Sequence, residues 1–278
     1  MNIITIPDDF NLDLSASVEM FEYCSSQKAI KQQITLSRNT ISFLIEGVKD
    51  VYFENSSLTI DNSKFIIMRS GNCLMTEKLS DLNNYRSVLL FFSNDILLKF
   101  IRKFGLNKPE SINSKSVFDF KCDEFVKRFI DSLLDVSELS VNIKHNLLEV
   151  KFEEIMLYLI EKYGADFLYS LIPDNSNTVQ KFHSTIENNQ LNKLTLRELA
   201  FLCNMSVSSF KREFEKYYSE SPIKWFQNKR LEYAYYLLHQ EQKSPSDIYY
   251  EVGYENLSSF IQAYKAKYGV TPKQDIIN

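Results

Sequence analysis

Short apolar runs rich in β-branched and aromatic residues crowd the first third of the chain, at 41–45, 51–53, 58–60, 65–68 and 88–92. Turn formers separate them: Glu46-Gly47, Asp61-Asn62-Ser63 and Arg69-Ser70-Gly71-Asn72. This pattern predicts β-strands. Their number and spacing predict a small antiparallel barrel or jelly roll, with a sandwich equally allowed. From Asn94 the period becomes helical. Ile96, Leu97, Phe100, Ile101 and Phe104 share one face, and Gly105 supplies a stop. A second helix carries Phe125, Val126, Phe129, Ile130, Leu133 and Leu134, and a third runs over about 142–163 to Gly164. The third has apolar residues on nearly every side, which predicts burial on two sides. One of those sides is either a subunit interface or a second packing face against the barrel.

The last hundred residues contain a self-similar pair. Ser208-Ser209-Phe210, Phe214, Tyr218 and Ser221-Pro222 return fifty positions later as Ser258-Ser259-Phe260, Tyr264, Tyr268 and Thr271-Pro272. Upstream the offset is forty-nine, matching Glu198-Leu199 to Asp247-Ile248 and Cys203 to Val252. Each copy reads as helix–turn–helix. In the first, Thr195 to Glu198 is a capping-box pattern, Asn204-Met205 makes the turn, and Ser206 is an N-cap. On the helix that follows, Val207, Phe210, Phe214 and Tyr217 form an apolar face. Ser208, Lys211, Arg212 and Glu215 lie opposite, with Ser209 at the edge. A polar helix face is ordinarily only solvated. Here the small residues of the first turn, followed by Lys and Arg, suit a helix entering a major groove. In the second copy Gly253-Tyr254-Glu255-Asn256 is the turn, and Ser258, Ser259, Gln262 and Lys265 are the exposed positions. Gln262 has the geometry for adenine, but this face is less cationic.

Between the copies, Ser221 and Pro222 open a helix that runs to about Gln240. Nineteen residues at ~1.5 Å each span about 28 Å, the order of the ~34 Å between successive major grooves on one face of DNA. Trp225, Phe226, Leu231, Ala234, Leu237 and Leu238 supply its packing stripe. Lys224, Lys229 and Arg230 in its first half, with Lys265 and Lys267 in the second copy, are candidates for phosphate contacts, with plain surface solubility as the alternative.

Composition sharpens this picture. The chain has 278 residues, 32 Lys+Arg, 36 Asp+Glu, three His and four Cys. The formal charge of −4 by itself disfavours nucleic acid. It is unevenly spread: residues 1–173 carry −5 and residues 174–278 carry +1. DNA binding would then depend on where a few cations face rather than on bulk charge. The scattered Cys24, Cys73, Cys122 and Cys203 form no CxxC pair, which fits a reducing cytoplasm. No apolar run reaches ~18–20 residues, and Asp8 and Asp9 sit where a signal peptide would be basic, so neither a membrane segment nor a leader is expected.

The motifs Leu194-Thr195, Glu198-Leu199-Ala200, Met205-Ser206, Phe210-Lys-Arg-x-Phe214 and Ser221-Pro222 are joined by Arg230, Ala234, Leu237-Leu238, Asp247-Ile248, Gly253-Tyr254, Ser259-Phe260 and Tyr268-Gly-Val-Thr-Pro272. Together they resemble the DNA-binding domain of the AraC/XylS family of bacterial transcription regulators. The resemblance implies two helix–turn–helix units in consecutive major grooves. By position, Ser208, Ser209, Lys211 and Arg212 inherit the first base-reading role, and Ser258, Ser259 and Gln262 the second. The sequence departs from the family at Ser219, where Gly is usual, at Tyr249, Gln262 and Asp275-Ile276. Leu44-Ile45-Glu46-Gly47, Phe65-Ile-Ile-Met68 and Gly71-Asn72 resemble, more weakly, the family's cupin-like sensor domain.

The expected fold is therefore α+β in two domains. Residues 1–172 form a cupin-like barrel followed by helices, for sensing and dimerisation; 173–179 form a linker; and 180–278 form an all-α reader with two helix–turn–helix motifs on a long helix. The expected function is a cytoplasmic, dimeric, sequence-specific DNA-binding regulator, an activator by resemblance. Its expected partners are double-stranded promoter DNA, RNA polymerase and a small-molecule effector or regulatory protein. Two alternatives stand: control by a protein partner alone with no metabolite pocket, and a cupin enzyme fused to a DNA-binding tail. The only histidines, His145, His183 and His239, fall outside the expected strands, so no metal, cofactor or catalysis is expected. Cys73 is a redox-sensor candidate or an incidental buried thiol.

Overall fold

A computed structural model describes residues 3–10, 12–109, 115–172 and 178–277 and divides into two units, Met1–Lys181 and Phe182–Asn278. Residues 173–177 of the expected linker lie outside the described residues. Thr178 and Val179, also assigned to that linker, are helical instead.

The first unit contains β1 (Ile4–Ile6), β2 (Val18–Ser25), β3 (Ala29–Leu36), β4 (Asn39–Glu46), β5 (Val48–Tyr52), β6 (Ser57–Ile60), β7 (Lys64–Met68), β8 (Gly71–Lys78) and β9 (Tyr85–Phe92). After these come α1 (Asn94–Lys103), β10 (Val117–Lys121), α2 (Glu124–Ser137), α3 (Val141–Tyr163) and α4 (Asp166–Ser170). The strands form two five-stranded sheets, ordered β1-β3-β8-β5-β6 and β10-β7-β4-β9-β2. All pairings are antiparallel except β1 with β3, where Ile4 to Ile6 run parallel to Ile34 to Leu36. The barrel is thus not purely antiparallel, because the N-terminal segment adds to a sheet edge.

Three layers result. One face of the second sheet meets the first sheet through Leu44, Ile66, Met68, Leu89 and Phe91. Its other face meets α1–α3 through Ile41, Phe43, Phe65, Ile67, Val88, Leu90 and Phe92. Strands covered on both sides are apolar almost without interruption, and these are the strands that the hydrophobic runs predict. The expected turn at Gly71-Asn72 is instead the start of β8.

The barrel interior is close to full. A cavity of about 50 Å³ remains, lined mainly by apolar side chains with Lys49, Glu77 and Ser87. Lys49 is buried and donates to Ser42 Oγ at 3.1 Å. Burial opposes its charge, but Tyr85 and Glu77 outweigh that cost and hold the ammonium above its ordinary range. Cys73 is fully buried, and burial pushes its thiol pKa up, the reverse of what a reactive thiolate needs.

Asp123 ties the helical layer together. It caps α2 by accepting from the Phe125 and Val126 N–H groups, both at 3.1 Å, and it also accepts from Tyr158 and Lys162 near the end of α3. Partial burial pushes its carboxyl up, but the bonds from Lys162, Tyr158 and Val126 outweigh it and hold the group well below the usual carboxylate range. Asp123→Ala is expected to cost about 1–3 kcal/mol at pH 7. Because the folded-state pKa is depressed, this stabilisation is complete above the ordinary carboxylate range and is lost as pH falls through it and below. Thermal denaturation of both proteins checks this: the gap in midpoint should narrow in acid, and a pH-independent gap would contradict it.

Candidate nucleic-acid interface

The C-terminal part is helical: α5 (Thr178–Asn188), α6 (Leu196–Leu202), α7 (Val207–Tyr218), α8 (Pro222–His239), α9 (Pro245–Ile248), α10 (Leu257–Tyr268) and α11 (Pro272–Ile277). A capping box opens α6, with the Glu198 N–H donating to Thr195 Oγ1 at 3.3 Å and the Thr195 N–H to Glu198 Oε2 at 2.6 Å. Ser206 caps α7 by accepting the Ser209 N–H at 3.1 Å, and Asn256 caps α10 by accepting the Ser259 N–H at 2.8 Å. Ser221 occupies the N-cap position of α8 but makes no side-chain cap bond, so Pro222 at N1 is the effective start signal. The first helix of the second copy is only Pro245–Ile248, although a helical bond continues from the Val252 N–H to the Ile248 carbonyl.

Each helix–turn–helix has its own hydrophobic cluster. Phe182, Ile186, Leu199, Ala200, Phe210, Phe214 and Phe226 form one. Leu231, Ala234, Leu237, Leu238, Ile248, Val252, Phe260 and Tyr264 form the other. Burying Phe210 and Phe214 turns the opposite face of α7 outward, leaving Ser208, Lys211 and Arg212 exposed. Ser209 is half-buried, and its Oγ accepts from Ser206 Oγ at 2.9 Å. Burial of Phe260 and Tyr264 likewise leaves Ser258, Ser259, Gln262 and Lys265 exposed on α10.

The five phosphate candidates divide. Lys224 and Lys265 are exposed and make no side-chain bond among the described residues. Lys229 and Lys267 both pair with Glu232, each at 3.0 Å, and Lys267 also donates to the Asn228 carbonyl at 2.7 Å. Burial pushes the Glu232 carboxyl up, but these two lysines outweigh it and hold it below its ordinary range. Arg230 packs against the Gly253 turn, with its Nε enclosed and without a hydrogen-bond partner. Three of the five cations are thus engaged within the protein. The Lys229–Glu232 spacing is readable on a helix, whereas the approach of Lys267 is tertiary and carries no local signal.

The histidines also have structural partners. His145 Nε2 lies 2.8 Å from Glu19, His183 Nδ1 lies 3.0 Å from the Tyr218 hydroxyl, and His239 Nε2 lies 3.2 Å from Asp275. Among the described residues no cluster of three or more His, Cys, Asp or Glu has a metal-holding arrangement. No helix among them is long and apolar enough to cross a membrane.

Comparison with known proteins decides the family. Residues 39–171 match the family model of the ExsA N-terminal regulatory domain, and residues 199–275 match a helix-turn-helix domain. The chain belongs to the AraC/XylS family of transcription regulators. It is 25% identical over 245 residues to the virulence regulon transcriptional activator VirF of Yersinia enterocolitica, covering 86% of this chain and 89% of VirF. It is 26% identical over 244 residues to the transcriptional regulator ExsA of Pseudomonas aeruginosa, covering 83% of each. Among solved structures it is similar to ToxT of Vibrio cholerae, with 17% identity, a TM-score of 0.41, and coverage of 94% of this chain and 98% of ToxT. This AraC/XylS chain is a sequence-specific DNA-binding transcription regulator with an N-terminal regulatory domain, and promoter DNA is its partner.

Three of its departures from the family pattern have local explanations. Tyr249 packs against the second cluster. Asp275 accepts from the Tyr264 hydroxyl at 2.6 Å and faces His239, fastening α11 to α10 and α8. Ser219 ends α7 in the left-handed region at φ 56°, where the second copy has Gly269 at φ 82°. A side chain in that conformation carries a steric penalty of roughly 1–2 kcal/mol, partly offset by the greater freedom that glycine brings to the unfolded chain. Ser219→Gly is therefore expected to stabilise the protein by about 0.5–1 kcal/mol. Chemical denaturation checks this, and an unchanged or lower midpoint would show that Ser219 is unstrained.

Proposed function

We propose that the chain is a transcription activator, residues 180–278 reading two successive major grooves of promoter DNA and residues 1–172 controlling the presentation of this reader. One observation carries the reading. The two recognition helices are capped alike, bury the same face and leave small, cationic and amide side chains outward. Lys211 and Arg212, with Ser208 and Ser209, act at the first groove, and Ser258, Ser259 and Gln262 at the second. Lys224 and Lys265 reach phosphates first. Lys229, Lys267 and Arg230 would have to give up internal contacts to do so. Activation is supported by the likeness to VirF, a virulence regulon transcriptional activator of Yersinia enterocolitica, and contact with RNA polymerase follows from that role.

The chain has no catalytic role in this reading. The nearly full barrel interior favours control by a protein partner over a metabolite held between the two sheets. A cavity of about 50 Å³ is far below the ~300–1,000 Å³ of ordinary small-molecule pockets.

A homodimer forms through α3. Ile143, Val150 and Leu157 recur every seven residues and are 55%, 58% and 41% exposed, with Leu147 half-buried between the first two. A seven-residue apolar repeat on a solvent face suits a helix–helix seam with a second copy. Replacing all three residues by Ser is expected to yield monomers in sedimentation with the thermal midpoint little changed; a persisting dimer would place the interface elsewhere.

DNA reading is tested by selecting duplexes from a random-sequence pool. Arg212→Ala should weaken binding to the selected duplex by about 1–3 kcal/mol while leaving affinity for unrelated DNA unchanged. Equal loss on both would make Arg212 a phosphate contact, and no loss would remove it from the interface. A reporter behind the selected site should gain transcription when the chain is present; a fall would make it a repressor.

A further inference from the structure

The two helix–turn–helix units share α8 but no hydrophobic cluster, so their relative placement depends on α8 and on whatever bridges them elsewhere. A bridge exists. Lys193, in the segment leading into α6 of the first unit, places Nζ 3.8 Å from the ring centroid of Tyr250 in the second and donates to the Tyr250 carbonyl. Near it, Arg230 sits on α8 between the two clusters and packs against Gly253. Gly253 has φ +93°, and a Cβ there would lie 3.1 Å from Arg230 Cδ. The second turn therefore packs on the Arg230 side chain, which lies near enough to Lys193 to act on its charge. Partial burial, and then the nearby Arg230, draw the Lys193 ammonium below its ordinary range.

We propose that Lys193 and Tyr250 form a strut that fixes the second helix–turn–helix relative to the first, so that the reader accepts one spacing between its two DNA boxes. This rests on the two-groove reading above. A cation over an aromatic face and a charged donor on a carbonyl are both directional, and they join the units at a point away from α8. With a second tie, rotation of one unit against the other is opposed, and the orientational cost of engaging the second groove is met before binding. Lys193 and Tyr250 act here as positioning residues and need touch no base.

The test uses the full chain and a two-box duplex that it selects from random-sequence DNA, together with a duplex keeping only the first box. Lys193→Met should weaken two-box binding roughly five- to tenfold and leave one-box binding unchanged. It should also reduce the affinity penalty caused by inserting or deleting one base pair between the boxes. Lys193→Arg, which keeps a cation and donors over the ring, should restore both. Unchanged spacing penalties, or equal losses on the two duplexes, would overturn the strut. So would a fall of about 0.9 in the slope of log K against log salt, because it would mark Lys193 as a phosphate contact. If the unmodified chain selects no two-box duplex, the two-groove reading itself fails. If selection succeeds and Lys193→Met behaves as the parent, only the strut fails.

Discussion

Helix α8 has to serve two hydrophobic clusters at once, and the geometry of the reader depends on how it does so. Its first half gives Trp225 and Phe226 to the cluster under α7, and its second half gives Leu231, Ala234, Leu237 and Leu238 to the cluster under α10. Eighteen residues make a rod of about 27 Å. Each recognition helix is then oriented by its own buried aromatic pair, Phe210 with Phe214 and Phe260 with Tyr264. A side chain that faces outward on α7 or α10 does so because its neighbours one or two positions away are locked onto α8. Reading DNA is in this sense a consequence of core packing.

The same packing logic explains what could be read in the sequence. The duplicated reader was legible because helix caps, apolar periodicity and the Ser-Pro and Thr-Pro starts recur at nearly constant offset. In the barrel, β4, β7 and β9 were legible because sheet and helices cover both of their faces, leaving runs such as Phe65 to Met68 with no polar interruption. β2 and β3 were not. Glu22 and Cys24 alternate with less exposed residues in β2, and Lys31, Gln32 and Gln33 interrupt β3. A strand whose alternate positions are polar offers few apolar signals, and a bulge between Ala29 and Gln32 disturbs the alternation of β3 further.

At the DNA-facing surface, side-chain direction was legible and side-chain availability was not. Helical periodicity correctly turned Lys211, Arg212 and Gln262 away from the core, because that depends on neighbours in the same helix. Whether Lys229, Lys267 or Arg230 is available to a phosphate depends on partners brought in by the fold. Glu232 on α8 meets Lys267 from α10, and the left-handed Gly253 turn meets Arg230. No spacing rule reports such encounters across the tertiary structure.

These internal pairings sharpen the meaning of the charge balance. The C-terminal part is nearly neutral overall, and Glu232 occupies two of its lysines. The cations left facing outward on or beside the recognition helices without an ion pair are few: Lys211, Arg212, Lys224 and Lys265, Lys216 being exposed but paired with Glu213. Each phosphate neutralised contributes only a modest, salt-sensitive increment, so this surface holds random DNA weakly. On the proposed two-groove reading, specific affinity comes from base contacts made in both grooves together. That route rewards rigidity, since a loosely hinged second unit would lose orientational freedom each time it docked. A reader poor in free cations therefore depends more on fixed geometry between its two halves than a strongly basic one would.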